Sequence, residues 1–264
     1  HPDIAHWVAY YYLDRRPGNI HTRFTCFPHT NNCLSLYRSH RLTSLHHMHW
    51  QANGQPMQIF TPVRTQTLTV RQTGPVHRIV IVFKLLGAQQ FCTTSSLNYF
   101  QPGISFFTPT ELKALFAQNS IREIADLLDS YLLKRYQRKE VPALEGSLSL
   151  LQKEPALHSI AEIAEQAHVS RRHLNRLVQQ HLGLPAKRLQ QIFRFRQILA
   201  QKPTLQAGDS FTGLAHTLAF ADQSHLNKLF TSLADRAPRA FFQEGTLLGQ
   251  EDIYWRLEQW EGAN

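Results

Sequence analysis

Two segments of the chain, 170–178 and 222–230, carry polar side chains at the spacing of one helix face. Each opens on a residue that can cap a helix, Ser170 or Asp222, and continues with the matching run His-Leu-Asn-Arg/Lys-Leu. At helical spacing the apolar residues pack inward and the polar residues share the opposite face. One such face is more often the solvated side of a helical hairpin. Two matching copies instead favour a duplicated helix-turn-helix unit.

Residues on these polar faces are the candidates for reading DNA. Arg, Asn and Gln carry donors and acceptors that match base edges in the major groove. In the first copy the candidates are Arg171, Arg172, Asn175, Arg176 and Gln179, and in the second they are Gln223, Ser224, Asn227 and Lys228. The sequence therefore predicts two recognition helices.

A histidine cluster in the first half of the chain raises the question of a metal site. His47 and His49 are two residues apart, so on a strand both point to one face, and His77 is a candidate third ligand. No acidic residue lies between Asp14 and Glu111 to complete such a site. The sequence therefore favours a solvated or strand-packed histidine cluster and predicts no cofactor.

The three cysteines, Cys26, Cys33 and Cys92, are too few for a disulfide framework. We expect them to be buried as small apolar side chains, with a redox or metal site as the alternative. Such sparse cysteine is typical of a reducing compartment and predicts a cytoplasmic protein.

Composition and charge restrict the class of partner. The 264 residues are 42% apolar and carry a formal net charge of +9. No apolar run approaches the length of about 18 residues that a membrane helix needs, so no membrane partner is expected. Residues 1–110 contain nine basic residues but only Asp3 and Asp14 as acids. This balance is compatible with a plain basic surface, but it also suits nucleic acid and an anionic or polar effector.

The elements that must position these residues change type along the chain. Residues 1–110 predict β structure, with the clearest strands at 68–73 and 76–83. From Glu111 to Arg135 the apolar residues recur at helical spacing. Further helices are predicted at 147–153, 160–167, 171–181, 186–201, 211–218, 223–233 and 238–244, with Ser159, Ser170, Ser210 and Asp222 as capping residues.

These patterns predict an α+β protein with four parts. Residues 1–110 form a β-rich domain, and 111–146 form a helical brace or dimerisation segment with a linker. Residues 147–246 form the DNA-binding domain, and 247–264 form an acidic, aromatic tail. The role of the tail is not evident from its residues.

The helical half resembles the DNA-binding domain of the AraC/XylS family of bacterial transcription regulators, which carries two helix-turn-helix units on one linking helix. The resemblance rests on Ile160-Ala-Glu-Ile-Ala164 in the first copy, and on the run from Leu214 to Phe230 in the second. The family usually has glycine where His168 and Ala219 stand, because the turn favours a positive φ there. The resemblance thus implies a left-handed backbone at both residues.

The resemblance also implies residue roles. Arg172, Asn175 and Arg176 would contact base edges in one major-groove segment, and Gln223, Ser224, His225, Asn227 and Lys228 would do so about 34 Å away, one helical turn of DNA. Lys187, Arg188 and Arg239 are weaker candidates for phosphate contacts. Arg194 is expected to be structural, because Phe193 and Phe195 flank it.

For the whole chain, the resemblance implies a cupin-like β-barrel or sandwich sensor followed by the DNA-binding domain. The expected partners are double-stranded DNA, a small-molecule effector and RNA polymerase, and the expected role is activation. The chain would act as a monomer or a homodimer. The alternative is an enzyme fused to a DNA-binding module, either a metal cupin or a cysteine-based DNA-alkyl acceptor. The chain has neither a Cys-His nucleophile pattern nor a carboxylate in its histidine cluster, so we expect no enzyme activity.

Overall fold

Two opposed sheets form the first half of the protein and helices form the second. The computed structural model describes residues 1–44, 46–92, 97–200, 211–244, 246–247 and 254–259. Within these ranges the strands are β1 (Val8–Arg16), β2 (His21–Cys26), β3 (Asn32–Tyr37), β4 (His40–Ser44), β5 (His47–Trp50), β6 (Met57–Thr61), β7 (Leu68–Thr73), β8 (Val76–Phe83), β9 (Gln101–Pro102), β10 (Thr246–Leu247) and β11 (Tyr254–Gln259). The two strands predicted most clearly, 68–73 and 76–83, are confirmed as β7 and β8.

The strands of the described residues form two sheets. The first has the order β1-β8-β3-β6-β9 and the second β10-β11-β2-β7-β5-β4. Neighbouring strands are antiparallel, except that β5 runs parallel to β7. The sheets enclose a cavity to which both contribute side chains, Tyr10 and Val82 from the first and Phe24 and Met48 from the second. This arrangement is the predicted cupin-like sandwich.

Strand β8 is buried along its whole length. Ile79, Ile81 and Phe83 belong to the hydrophobic core that the sheet shares with the helices, whereas Arg78 and Val82 line the cavity. A central strand covered on both faces explains why residues 79–83 are a continuous apolar run rather than an alternating one.

The α-helices of the described residues follow β9 in the chain. They are α1 (Pro109–Ala117), α2 (Ile121–Arg135), α3 (Pro142–Lys153), α4 (Ile160–Gln166), α5 (Arg171–Leu182), α6 (Ala186–Ala200), α7 (Phe211–Thr217), α8 (Gln223–Ala234) and α9 (Pro238–Glu244). None of the helices described here is long and apolar enough to cross a membrane. Helices α4 to α9 match the predicted ones to within a residue at each end.

Two boundaries differ from the expected ones, both for local reasons. The helical pattern of 111–135 is interrupted after α1, because Ser120 and Glu123 form a capping box that starts α2 afresh. Helix α3 begins at Pro142 rather than at residue 147, since proline is well suited to the first turn of a helix.

The end of the chain returns to the sheet domain. Strand β11 pairs antiparallel with β2 in the register Trp255 with Cys26 and Gln259 with Thr22. Part of the predicted tail, 254–259, therefore extends the second sheet. Leu247, the first residue of the tail, lies in β10, and the remaining tail residues and the predicted cap at Ser210 lie outside the described residues.

Candidate nucleic-acid interface

The first helix-turn-helix unit consists of α4 and α5. Ser159 caps α4 in a capping box with Glu162, and Ser170 caps α5 by accepting a hydrogen bond from the His173 amide at 3.1 Å. Between the helices, His168 has φ of 54°, and the Val169 amide donates to the Ala164 carbonyl at 2.9 Å. Both predicted capping residues and the predicted left-handed turn are confirmed.

Helix α5 separates an apolar face from a cationic one. Leu174, Val178 and Leu182 are buried. The exposed predicted residues are Arg171, Arg172, Arg176 and Gln179. Asn175 is only half-exposed, because its amide nitrogen donates to the Arg171 carbonyl at 3.0 Å and its oxygen accepts from the Ala186 amide at 3.2 Å. The structure thus places Asn175 at the joint between α5 and α6.

The second unit repeats this construction with α7 and α8. Asp222 caps α8 by accepting from the His225 amide at 2.7 Å, and Ala219 in the turn has φ of 52°. The predicted residues Gln223, Ser224, His225 and Lys228 are exposed and Asn227 is half-exposed. The His225 ring packs edge-on against Phe220, with centroids 5.5 Å apart.

Arg194 of α6 holds the turn of the second unit. Its guanidinium lies 3.8 Å from the centre of the Phe220 ring and donates to the Ala219 carbonyl at 3.1 Å. Arg194 is therefore structural, as its flanking phenylalanines predict. It accounts for how a non-glycine residue is held in the left-handed turn.

Helix α6 links the two units through an apolar side. Leu189, Ile192 and Phe195 are fully buried, and Phe195 packs on Phe230 of α8 with ring centroids 5.0 Å apart. Since α6 packs on both α5 and α8, it fixes one recognition helix relative to the other. A helix buried at both contacts acts as a rigid spacer.

The predicted phosphate-binding residues have different environments. Lys187 and Arg239 are exposed. Lys187 lines a shallow hollow with Ser159 and Arg171, at the beginning of α4 and α5, where helix N-termini favour an anion. Arg188 is half-buried instead, and its Nη2 donates to the Thr65 carbonyl of the sheet domain at 2.7 Å.

The helical half also contacts the sheet domain at the ends of its recognition helices. At the end of α5, Gln89 Nε2 donates to the His181 carbonyl at 2.7 Å, and Asn98 Nδ2 donates to the Gln180 carbonyl at 3.2 Å. At the end of α8, Thr67 donates to the Leu233 carbonyl at 3.2 Å. The sequence does not predict these contacts because they join residues about 80 to 170 positions apart.

The predicted histidine residues do not assemble into one site. His47 and His49 share a face of β5, with ring centroids 4.1 Å apart. His77 lies in the other sheet, where its ring packs on Phe116 and burial lowers its pKa to about 4. Among the residues the structure describes, no three His, Cys, Asp or Glu side chains are placed to hold a metal ion.

Cys26 does not resemble an activated nucleophile. Cys26 is buried, and burial raises its pKa to about 11, so its side chain stays a neutral thiol at neutral pH. Cys33 and Cys92 are half-buried and are also free thiols.

Comparison with known proteins shows which proteins this chain resembles. Residues 163–244 match the helix-turn-helix domain family. The transcriptional activator RhaS of Pectobacterium atrosepticum is 31% identical over 78 residues, which are 30% of this chain and 27% of that protein. The solved structure of ToxT from Vibrio cholerae matches 88% of this chain and 98% of its own, with a TM-score of 0.50 and 10% identity. The similarity to ToxT concerns the fold alone.

The fold and the site thus define a sensor-like sandwich joined to a double helix-turn-helix domain. The helical half is a domain of the AraC/XylS family, as its sequence motifs predict. Proteins of this family are transcription regulators and are generally not enzymes.

Proposed function

We propose that the protein is a DNA-binding transcription regulator that reads two successive major-groove segments, one with α5 and one with α8. One observation carries this proposal: two capped recognition helices, each with an exposed polar face, flank a single rigid helix. A double-stranded DNA repeats its major groove about every 34 Å along one side, so a fixed spacer suits two such readers.

In the first reader we assign base contacts to Arg172, Arg176 and Gln179. These residues stand at i, i+4 and i+7 of α5, so they share one exposed face. Arginine can bind guanine with two hydrogen bonds, and glutamine can do the same with adenine. Arg171 flanks this face, and Asn175 is less suited to base contact because both ends of its amide are bound within the domain.

In the second reader we assign base contacts to Gln223, Ser224 and Lys228, which are exposed on α8. His225 and Asn227 are less suited, since the His225 ring packs on Phe220 and Asn227 is half-exposed. We assign phosphate contacts to the exposed Lys187 and Arg239, and Arg188 to the contact with the sheet domain.

We extend the role of activator to this chain from the printed name of its relative. RNA polymerase is then the protein partner, and the cytoplasm is the place of action. Since one chain already holds two readers, a monomer is sufficient to bind one site, and a homodimer would bind two.

We also propose that a small ligand in the sandwich cavity modulates DNA binding. Arg64 and Leu68 line the cavity. Between them, Thr65 accepts from Arg188 of α6 and Thr67 donates to the end of α8. On the other side of Arg64, its Nε donates to the Phe27 carbonyl, and the Phe27 ring packs on Phe241 of α9 at 4.6 Å. A ligand that displaces this segment would therefore move contacts to three helices of the DNA-binding half.

The test is a selection of bound fragments from random DNA, followed by affinity measurements on the selected site and on unrelated DNA. Arg176→Ala should weaken binding to the selected site by about 1–3 kcal/mol and relax selectivity at one base pair. Arg122→Ala, an exposed arginine of α2, is the matched control and should change neither affinity.

Two results would count against base reading by α5: no enriched sequence, or an equal loss for Arg176→Ala on both DNAs. An affinity that does not fall as salt rises would count against the proposed phosphate contacts. Counterion release makes the salt dependence steep for a protein that contacts several phosphates. Lys187→Ala should reduce that slope by about one while leaving sequence preference intact.

A further inference from the structure

The sandwich cavity is mostly apolar, and two arginines, Arg64 and Arg78, are among its polar lining residues. About 700 Å³ between the sheets is free of protein atoms, part of it open to solvent. Aromatic rings of both sheets line it, among them Tyr10, Tyr12 and Phe24. An apolar cavity with a few polar groups is the usual form of a small-molecule site.

Arg78 already has a carboxylate partner within the protein. Its Nη2 lies 3.2 Å from the Asp14 carboxylate, and its guanidinium lies 5.2 Å from the centre of the Phe24 ring. Arg16 also binds Asp14, at 2.8 Å. Arg78 therefore contacts a carboxylate of the sandwich wall, which it shares with Arg16.

Arg64 has only neutral acceptors. Its Nη2 donates to Asn31 Oδ1 at 3.0 Å, its Nη1 lies 3.7 Å from Cys33 Sγ, and its Nε donates to the Phe27 carbonyl at 3.4 Å. No carboxylate among the described side chains pairs with it. Asp3 and Asp14 are the only acids in residues 1–110, so this half of the chain has few carboxylates to offer.

Two ionisable groups near Arg64, those of Cys26 and Tyr12, do not supply the missing negative charge. Burial raises the pKa of the Cys26 thiol to about 11 and raises that of the Tyr12 phenol well above its usual range. Both groups are therefore neutral at neutral pH. A guanidinium stays charged at any such pH, and a half-buried charge without a counter-ion is costly.

We propose that the cavity binds a small organic monocarboxylate with an apolar body, and that Arg64 binds its carboxylate. The rings of the cavity enclose the apolar body, and the guanidinium supplies the paired donors that a carboxylate accepts. This inference rests on the proposed function only in taking the ligand to be a regulator. The binding site itself is a separate claim.

The experiment is isothermal titration calorimetry of the full chain, without DNA, at millimolar concentrations of benzoate, naphthoate and octanoate, each paired with its neutral carboxamide. A charged hydrogen-bonded contact contributes about 1.5–3 kcal/mol, so at least one acid should bind roughly 10- to 100-fold more tightly than its amide. Arg64→Gln should remove this preference, whereas Arg64→Lys should keep part of it. Arg41→Gln, an exposed arginine of β4, should leave it unchanged.

Two outcomes would overturn the proposal: no acid binds the wild-type protein more tightly than its amide, or Arg64→Gln keeps the preference. The comparison of acid with amide uses the wild-type protein, so it stands even if Arg64→Gln fails to fold. If an acid binds as expected but DNA affinity does not respond to it, the site stands and its regulatory role fails. If the protein binds the selected DNA site but binds no acid, the proposal that it is a regulator stands and the proposal that its ligand is a carboxylate fails.

Discussion

A substitution at Gly183 tests how tightly the sheet domain holds the first recognition helix. Gly183 ends α5 with φ of +78°, and a Cβ added there would lie 2.2 Å from the Asn98 carbonyl oxygen. Gly103 also has φ of +78°, yet an added Cβ would meet nothing within 4 Å. The two glycines therefore share one backbone conformation and differ in whether the other domain is in contact.

The expected cost follows from that difference. Alanine in the left-handed region costs about 1–2 kcal/mol at either position. At Gly183 the Asn98 backbone must also move, which strains the contact from Asn98 to the Gln180 carbonyl, and overpacking of this kind costs about 1–3 kcal/mol more. We expect Gly183→Ala to lower the free energy of unfolding by roughly 2–5 kcal/mol. Gly103→Ala should lower the free energy of unfolding only by the cost of holding alanine in the left-handed region.

Urea unfolding followed by far-ultraviolet circular dichroism measures both variants under the same conditions. Equal losses for Gly183→Ala and Gly103→Ala would refute the reasoning. Such a result would mean that Asn98 is not held against α5, and that the sheet domain does not restrain this recognition helix.

The other predictions concern the turn, the buried histidines and the route between domains. Ala219→Gly should raise the free energy of unfolding by up to about 1 kcal/mol by relieving the left-handed turn, whereas Ala161→Gly in α4 should lower it by a similar amount; thermal melts decide the sign. Burial lowers the pKa of His40 and of His77 to about 4, so the unfolded chain takes up protons first as pH falls from 6.5 to 4. Stability in urea titrations should fall over that window by up to about 2.7 kcal/mol per pH unit, and His77→Phe should halve this contribution. Thr67→Val removes the hydrogen bond to the end of α8 and should leave carboxylate binding unchanged while reducing its effect on DNA affinity; an undiminished effect would exclude this route.

Much of the helical half could be predicted because its signals are local. A capping serine or aspartate binds an amide three residues away, and the backbone bonds of a helix span four residues. Ser170 and Asp222 therefore mark where the recognition helices begin. The capping box of Ser120 and Glu123 is an equally local signal that could have shown the break before α2. The structural role of Arg194 is predicted from its flanking phenylalanines, but the contacts that carry it are with Ala219 and Phe220, which are distant in sequence.

The site in the sheet domain could not be predicted in this way. Arg64 is one of nine basic residues in residues 1–110, and nothing in the adjacent sequence distinguishes it from Arg41. Strand pairing places Arg64 in a cavity with Cys33 and Asn31, and leaves it without a carboxylate among the described side chains.

The sequence by itself determined the duplicated helix-turn-helix unit, its capped recognition helices and its left-handed turns. These depend on bonds between residues a few positions apart. Only the tertiary structure decided that Asn175 serves the joint to α6, that Arg188 reaches the sheet domain, and that strand β11 completes the second sheet. Contacts of that kind join residues distant in sequence, and their free energy depends on which surfaces the folded chain brings together.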